Sequence, residues 1–138
     1  MISKTEEYAL RAAIQLARHH GEQPVRASAL AHETGVPTNY MSKILHKLGR
    51  SGVVVSERGR GGGFRLSRAP ASVTLSELLM PFAPQNGRER CLLGRDECSD
   101  ADPCSAHYRW KDAKQKIADF FSQTTLADVI AERDGGNP

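Results

Sequence analysis

Three cysteines and one histidine lie within a short stretch of the second half of the chain: Cys91, Cys98, Cys104 and His107. Thiolates and a neutral imidazole are ligands for zinc and for iron–sulfur clusters. Six residues separate the first two cysteines and five separate the next two, whereas zinc ligands usually come in pairs about two to four residues apart. The wider spacing favours an iron–sulfur cluster, in which a histidine can replace a cysteine on one iron.

Nearby positive charge favours the thiolate form of these cysteines. Arginines flank Cys91 at positions 88, 90 and 95. Asp102 and Pro103 are typical of the N-cap and first position of a helix. That helix would place Cys104 in its first turn, where the helix dipole lowers the pKa of a thiol, with His107 on the same face.

Two interpretations without a metal remain open for the same residues. The three cysteines could be reduced and unrelated to one another. Alternatively, Cys98 and Cys104 could reach each other across a short loop and form a thiol–disulfide switch.

Length and composition narrow the class of protein. The chain has 138 residues, of which 39% are hydrophobic and 25% are charged, as expected for one globular domain. No apolar run approaches the ~18 residues of a membrane span, and the N-terminus does not resemble a signal peptide. We therefore expect a cytoplasmic protein without membrane association. No nucleotide-binding loop or Ser/His/Asp set is present, so we expect neither enzymatic activity nor a small-molecule substrate.

The first half predicts a mainly α fold with a small β-hairpin, in the order of a winged helix-turn-helix. Apolar residues at helical spacing predict three helices, and a Gly35 turn separates the second from the third. A glycine- and arginine-rich turn at 58–63 joins two short β patterns. The predicted elements are helices at 6–20, 27–34 and 38–50 and strands at 53–55 and 64–67.

The second half predicts a short helix at 74–81, capped by Thr74, an irregular loop over 84–103, and a long helix to about Thr124. Aromatic and aliphatic residues line one side of the long helix, which favours pairing with a second copy of the chain. The predicted organisation is a DNA-binding domain at 1–70, a connecting helix at 71–83, a cluster-binding loop at 84–105, and a dimerisation helix with a C-terminal segment at 106–132.

Charge is divided unevenly between the halves: residues 1–70 carry a net +6 and the remainder a net −3. A basic half next to an acidic half indicates that the first half binds a polyanion such as double-stranded DNA. The exposed face of the third helix would enter the major groove, and the glycines of the hairpin tip would let the protein backbone approach a groove closely. The candidate DNA-binding residues are Thr38, Asn39, Tyr40, Ser42, Lys43, Lys47, Arg58, Arg60, Gly61 and Arg65.

The chain resembles a family of small dimeric winged-helix regulators that includes IscR and NsrR. The resemblance runs from Tyr8-Ala9-Leu10-Arg11 to Thr125-Leu126. Its most specific parts are the 58–64 turn and the three cysteines of the loop, and the run from Cys104 to Trp110 resembles IscR in particular. It implies a homodimeric transcription regulator whose operator affinity depends on a 2Fe–2S cluster. It also implies Cys91, Cys98, Cys104 and His107 as the cluster ligands.

This chain departs from that family at one point, because six residues rather than five separate Cys91 from Cys98. Some relatives take a ligand from an acidic residue near the N-terminus of the partner subunit, and Glu7 occupies that region here. With Glu7 in place of His107, a 4Fe–4S cluster as in NsrR would be the alternative. A metal-free regulator switched by cysteine oxidation is the alternative function.

Overall fold

The computed structural model describes residues 2–83 and 91–134. These residues form two compact units, one containing the residues up to Ala83 and from Ser122 onward, the other those from Cys91 to Phe121. The predicted fold class, mainly α with one antiparallel hairpin, is confirmed. The elements are α1 (Lys4–Arg18), α2 (Ala27–Thr34), α3 (Thr38–Arg50), β1 (Val54–Glu57), β2 (Gly63–Leu66), α4 (Leu75–Leu79), α5 (His107–Gln123) and α6 (Leu126–Asp134), with short 3-10 turns at Pro70–Ser72 and Met80–Phe82.

Helix α1 begins two residues before the predicted start because of its N-cap. The Ser3 side chain accepts a hydrogen bond from the Glu6 backbone N–H, and the Glu6 carboxylate accepts one from the Ser3 N–H. This reciprocal pair is a capping box, which satisfies two of the free N–H groups at a helix start. Helix α1 ends at Arg18, with His19 as its C-cap.

The core of the first unit is built around a face of α1 rich in alanine. Ala9, Ala12 and Ala13 are completely buried, and α1 packs against α2, α3, α4, α6 and β2. Small side chains let the neighbouring helices approach closely, and larger residues from those helices fill the remaining space. The fully buried large residues include Leu30, Met41, Ile44, Leu45, Leu48, Leu66, Leu78 and Leu126.

The hairpin is joined to the segment before α2 at the start of β2, next to its turn. Glu57 pairs with Gly63 across the hairpin, while the backbones of Val25 and Phe64 exchange two hydrogen bonds of 2.8 and 2.7 Å. Gly63 has φ +152°, and a Cβ at this position would lie 2.6 Å from the carbonyl carbon and oxygen of Val25. Only glycine therefore allows the two backbone segments to meet.

The predicted cap of α4 is confirmed, since the Thr74 hydroxyl accepts a hydrogen bond from the Glu77 N–H at 3.2 Å. The Glu77 carboxylate pairs with Arg68. Helix α4 itself is short and covers Leu75–Leu79.

The predicted start of the last long helix is wrong. Helix α5 begins at His107, not after Asp102 and Pro103. The Asp102 carboxylate is bound to Arg95 at 3.3 Å instead of capping a helix. The His107 N–H donates to the Cys104 carbonyl at 3.1 Å, so a tight turn precedes the helix, and Cys104 lies before the first helical turn.

Helix α6 was not predicted. Helix α5 ends at Gln123. The Thr124 carbonyl then accepts a hydrogen bond from the Leu75 N–H at 2.9 Å, and the Leu126 N–H donates to the Val73 carbonyl at 3.0 Å. Thr125 and Asp128 then cap the start of α6 through reciprocal hydrogen bonds. None of the helices in the described ranges is long and apolar enough to cross a membrane.

We predict that Gly63→Ala lowers the free energy of unfolding by about 2 kcal/mol or more, because it adds both steric overlap and backbone strain. Gly59→Ala is the matched control, because Gly59 also has a positive φ but nothing lies within 4 Å of its added Cβ. Urea denaturation would measure both variants. Equal losses of stability in the two would contradict the proposed contact with Val25.

Protonation of His19 should stabilise the contact between α1 and α2. Its ring nitrogens lie 2.9 Å from Glu22 and 3.3 Å from Glu33. The Glu22 hydrogen bond, assisted by Glu33 and opposed by partial burial, raises the pKa of His19 above its ordinary value of 6.5. A raised pKa means that the stabilisation is present below pH 6.5 and is lost as the pH rises through the folded-state value.

We therefore expect His19→Gln to be less stable than the wild type near pH 5.5 and equally stable near pH 9 in urea denaturation. The exposed His20, next to it in sequence, provides the control variant His20→Gln. A wild-type advantage that is the same at both pH values would contradict this role.

Candidate metal centre and nucleic-acid interface

Cys91 is the first residue of a tight turn that brings a backbone N–H group close to the Cys91 sulfur. Gly94 has φ +90° and its N–H donates to the Cys91 carbonyl at 3.0 Å, while the Cys91 N–H donates to the Arg95 carbonyl at 3.3 Å. The Leu93 N–H points at the Cys91 Sγ, 3.4 Å away. That N–H is the main reason why the pKa of Cys91 is lowered from its ordinary value, with burial opposing and Cys104 and Arg95 assisting.

The prediction that arginines favour the Cys91 thiolate is confirmed for Arg95, although its effect is smaller than that of the Leu93 N–H. The other two arginines, Arg88 and Arg90, lie outside the described residues.

Arg95 also closes the loop that carries Cys98. Its guanidinium donates to the Asp102 carbonyl at 3.0 Å and lies 3.3 Å from the Asp102 carboxylate. The loop between these two residues is thereby held at both ends. The position of Cys98 within it determines which neighbour the Cys98 thiol can reach.

The four predicted ligands come together as two pairs. The Sγ atoms of Cys91 and Cys104 lie 3.4 Å apart, and the Cys98 Sγ lies 3.3 Å from Nδ1 of His107. Cys91 and His107 are buried, and the other two are half-buried. In the described ranges, no three His, Cys, Asp or Glu side chains converge as a single metal ion would require.

This pairing corrects two expectations. The partner of Cys104 is Cys91 rather than Cys98, because the loop closed by Arg95 and Asp102 carries Cys98 to His107 instead. Cys104 also does not lie in the first turn of a helix, since α5 begins only at His107.

An acidic residue that the sequence analysis did not single out completes the site. The Asp100 carboxylate lies 2.6 Å from Nε2 of His107 and within 3.0 Å of the Lys111 Nζ. The hydrogen bond from His107, followed by that from Lys111, lowers the pKa of Asp100 to about 2. Metal-bound histidines commonly donate a hydrogen bond to a carboxylate, so an acidic partner for His107 could be expected. However, four acidic residues lie between Cys91 and Cys104, and their spacing does not single one out.

Glu7, the alternative ligand, lies in the first turn of α1. Its carboxylate is 3.3 Å from Lys4 and 2.6 Å from Arg11. Both cations belong to the same helix, so the geometry of this chain gives Glu7 a local role. Its use by a partner subunit stays a prediction.

The candidate DNA-binding surface joins the helix-turn-helix to the hairpin. Gly35 ends α2 in the left-handed region, with φ 73°, and α3 begins three residues later. Met41, Ile44, Leu45 and Leu48 are buried on one side of α3, as the sequence predicted. The opposite side of α3 is exposed, and it carries Thr38, Asn39, Tyr40, Ser42, Lys43 and Lys47.

The hairpin candidates differ in how free their charges are. Arg58, Arg60 and Gly61 are exposed at the tip. Arg65 faces outward from β2, but its Nε lies 2.7 Å from the Glu57 carboxylate. On α3, the Lys47 Nζ lies 5.4 Å from the centre of the Phe82 ring. Lys43 and the tip arginines are therefore the most direct candidates for phosphate contacts.

Comparison with known proteins extends over almost the whole chain. The Rrf2 family, described as an iron-dependent transcriptional regulator, matches residues 2–132. A protein of Aquifex aeolicus named as an HTH-type transcriptional regulator is 36% identical over 132 residues, covering 94% of this chain and 91% of the relative. The transcriptional regulator IscR of Serratia proteamaculans is 28% identical over 127 residues, covering 92% of this chain and 77% of the relative.

Two solved structures have the same fold. IscR of T. potens matches with a TM-score of 0.78 and 24% identity, covering 96% of this chain and 88% of the other. CymR, the global cysteine regulator of B. subtilis, matches with a TM-score of 0.81 and 23% identity, covering 96% and 97%. The winged-helix fold and the resemblance noted in the sequence are thus confirmed. The expected absence of enzymatic activity agrees with relatives that are transcriptional regulators. With the match spanning residues 2–132, the chain belongs to the Rrf2 family of DNA-binding transcription regulators.

Proposed function

We propose that this regulator is a cytoplasmic homodimer whose operator affinity is controlled by an iron–sulfur cluster held by Cys91, Cys98, Cys104 and His107. The observation that carries the proposal is the arrangement of these four side chains as two pairs. A 2Fe–2S cluster needs two protein ligands on each iron, and imidazole can replace thiolate. A single zinc ion needs four ligands around one point, which the two pairs do not provide.

Each pair joins a cysteine of the loop to a residue at or just before the start of α5. Cys91 and Cys98 belong to the loop, Cys104 to the turn before α5, and His107 is the first residue of α5. When bound, the cluster would supply a connection between these segments that is sensitive to oxidation and to nitric oxide. Without it, the loop would be held to the start of α5 by hydrogen bonds and by the Asp100–Lys111 ion pair.

The proposed link to DNA is the dimer. Helix α5 exposes Tyr108 and Phe120, which are 64% and 55% exposed, and large exposed apolar groups favour pairing with a second copy. In such a dimer, a change at the start of α5 would alter the spacing of the two α3 helices. Half-sites on DNA lie about 34 Å apart, so a change of a few ångströms is enough to alter affinity.

Cysteine oxidation without a metal is the second candidate, and the Cys91–Cys104 contact favours it. At 3.4 Å the two sulfurs need only a small movement to form a bond. Two thiols would lose two protons and two electrons to hydrogen peroxide, which would be reduced to two molecules of water, or to an organic hydroperoxide, which would be reduced to an alcohol and water. Cys98 and His107 have no part in this reaction.

Metal analysis of anaerobically purified protein tests the first candidate. We expect about two irons and two sulfides per chain for a 2Fe–2S cluster. His107→Ala should lower iron retention, because it removes one of two ligands from one iron, whereas the exposed His32→Ala should leave it unchanged. Visible absorption and iron and sulfide assays are the measurements.

The other outcomes separate the alternatives. About four irons per chain would indicate a 4Fe–4S cluster instead of a 2Fe–2S cluster. Iron retention in Glu7→Gln would then show whether that carboxylate is a ligand. A protein that stays colourless after reconstitution would contradict the cluster. If peroxide then abolished DNA binding in the wild type and in His107→Ala but not in Cys91→Ser, the thiol switch would be the function.

DNA binding is tested with a duplex that the wild-type dimer selects from a random-sequence library. We expect Lys43→Ala and Arg58→Ala each to weaken binding by about 10-fold and to lower the salt dependence by about one released counterion. Lys116→Ala is the control, because Lys116 is exposed on α5 and pairs with Asp112 in the same helix. Titrations at several salt concentrations would measure both effects. Unchanged affinity and salt slope in both variants would contradict the proposed surface.

A further inference from the structure

His107 is the only buried polar or charged residue in the described part of the chain, with 3% of its surface exposed. Both ring nitrogens have partners. Nδ1 lies 3.3 Å from the Cys98 sulfur, and Nε2 lies 2.6 Å from the Asp100 carboxylate. The ring is therefore held between a candidate ligand on one side and an acidic group on the other.

These contacts decide which nitrogen can bind a metal. An ionised carboxylate can only accept a hydrogen bond, so the short contact with Asp100 requires a proton on Nε2. In a neutral imidazole, the other nitrogen then has a free lone pair. That nitrogen is Nδ1, the one beside Cys98.

Lys111 fixes the carboxylate in this orientation. Its Nζ lies 3.0 and 2.7 Å from the two oxygens of Asp100. Asp100 lies in the loop and Lys111 is four residues into α5 from His107, so the ion pair also joins the two segments.

We propose that Asp100, held by Lys111, is a positioning residue that keeps the proton on Nε2 of His107 and directs Nδ1 to the iron. This inference rests on the proposed function and adds to it the ligating atom and the group that selects it. Metal-bound histidines commonly donate their second N–H to a carboxylate, which raises the basicity of the ligating nitrogen.

The tautomer can be tested in the cluster-free protein. With ¹⁵N-labelled histidine, NMR near pH 8 should find the proton of the His107 ring on Nε2 in the wild type. Asp100→Ala should move it in part to Nδ1, and Asp100→Glu should restore it. Asp112→Asn is the control, because Asp112 lies on α5 and forms an ion pair with Lys116.

Reconstituted protein tests the consequence for the cluster. We expect Asp100→Ala to lose iron about 10- to 100-fold faster and to have a more positive midpoint potential, because a negative charge next to a ligand has been removed. Asp100→Glu should recover both properties in part. Thermal unfolding of the cluster-free variants would check that the fold is intact.

The results distinguish this inference from the proposed function. A wild-type cluster with unchanged potential and retention in Asp100→Ala would overturn the positioning role and leave the proposed function standing. A wild type that takes up no iron would overturn both the proposed function and the role of Nδ1 as a ligand. A wild-type His107 with its proton on Nδ1 would overturn the inference whatever the iron content.

Discussion

The alanine face of α1 is the constraint on which the first unit depends. Ala9, Ala12 and Ala13 are completely buried, and four other helices and a strand pack against this one helix. Any larger side chain there would have to displace neighbouring residues, and tightly packed interiors resist such changes. The close packing fixes α2 and α3 relative to each other, and thereby fixes which side of α3 faces outward. The exposed residues of α3 are thus set by contacts on the opposite side of the helix.

The second unit is organised by polar contacts rather than by a core. Among the residues described there, only Cys91 and His107 are buried. Arg95 closes the loop on Asp102, and Asp100 joins the loop to His107 and Lys111. These contacts replace hydrogen bonds that the same groups make to water in the unfolded chain, so each adds only a small net amount to the free energy of unfolding. An arrangement held by such contacts can change at low cost.

The sequence predicted the elements whose signals are local. The bounds of α2 and α3 agree with the apolar pattern, and both strands lie within about two residues of their predicted positions. Errors arose where a side chain had two possible partners. Asp102 had the sequence of an N-cap, but Arg95 binds it, so α5 begins later. The four ligand candidates were identified by type, whereas their pairing and the contact of Asp100 depend on how the loop closes, which spacing alone does not give.

The backbone contacts between Thr124 and Leu75, and between Leu126 and Val73, have a consequence for biosynthesis. Helix α6 packs against α1, so the unit that contains α3 uses segments from both ends of the described chain. Folding on the ribosome usually proceeds from the N-terminus as each domain emerges. Here the first unit cannot be completed until α6 has left the ribosome, by which time all four candidate ligands have already been translated. A nascent chain stalled within the cysteine loop would therefore lack both a finished candidate site and a finished first unit.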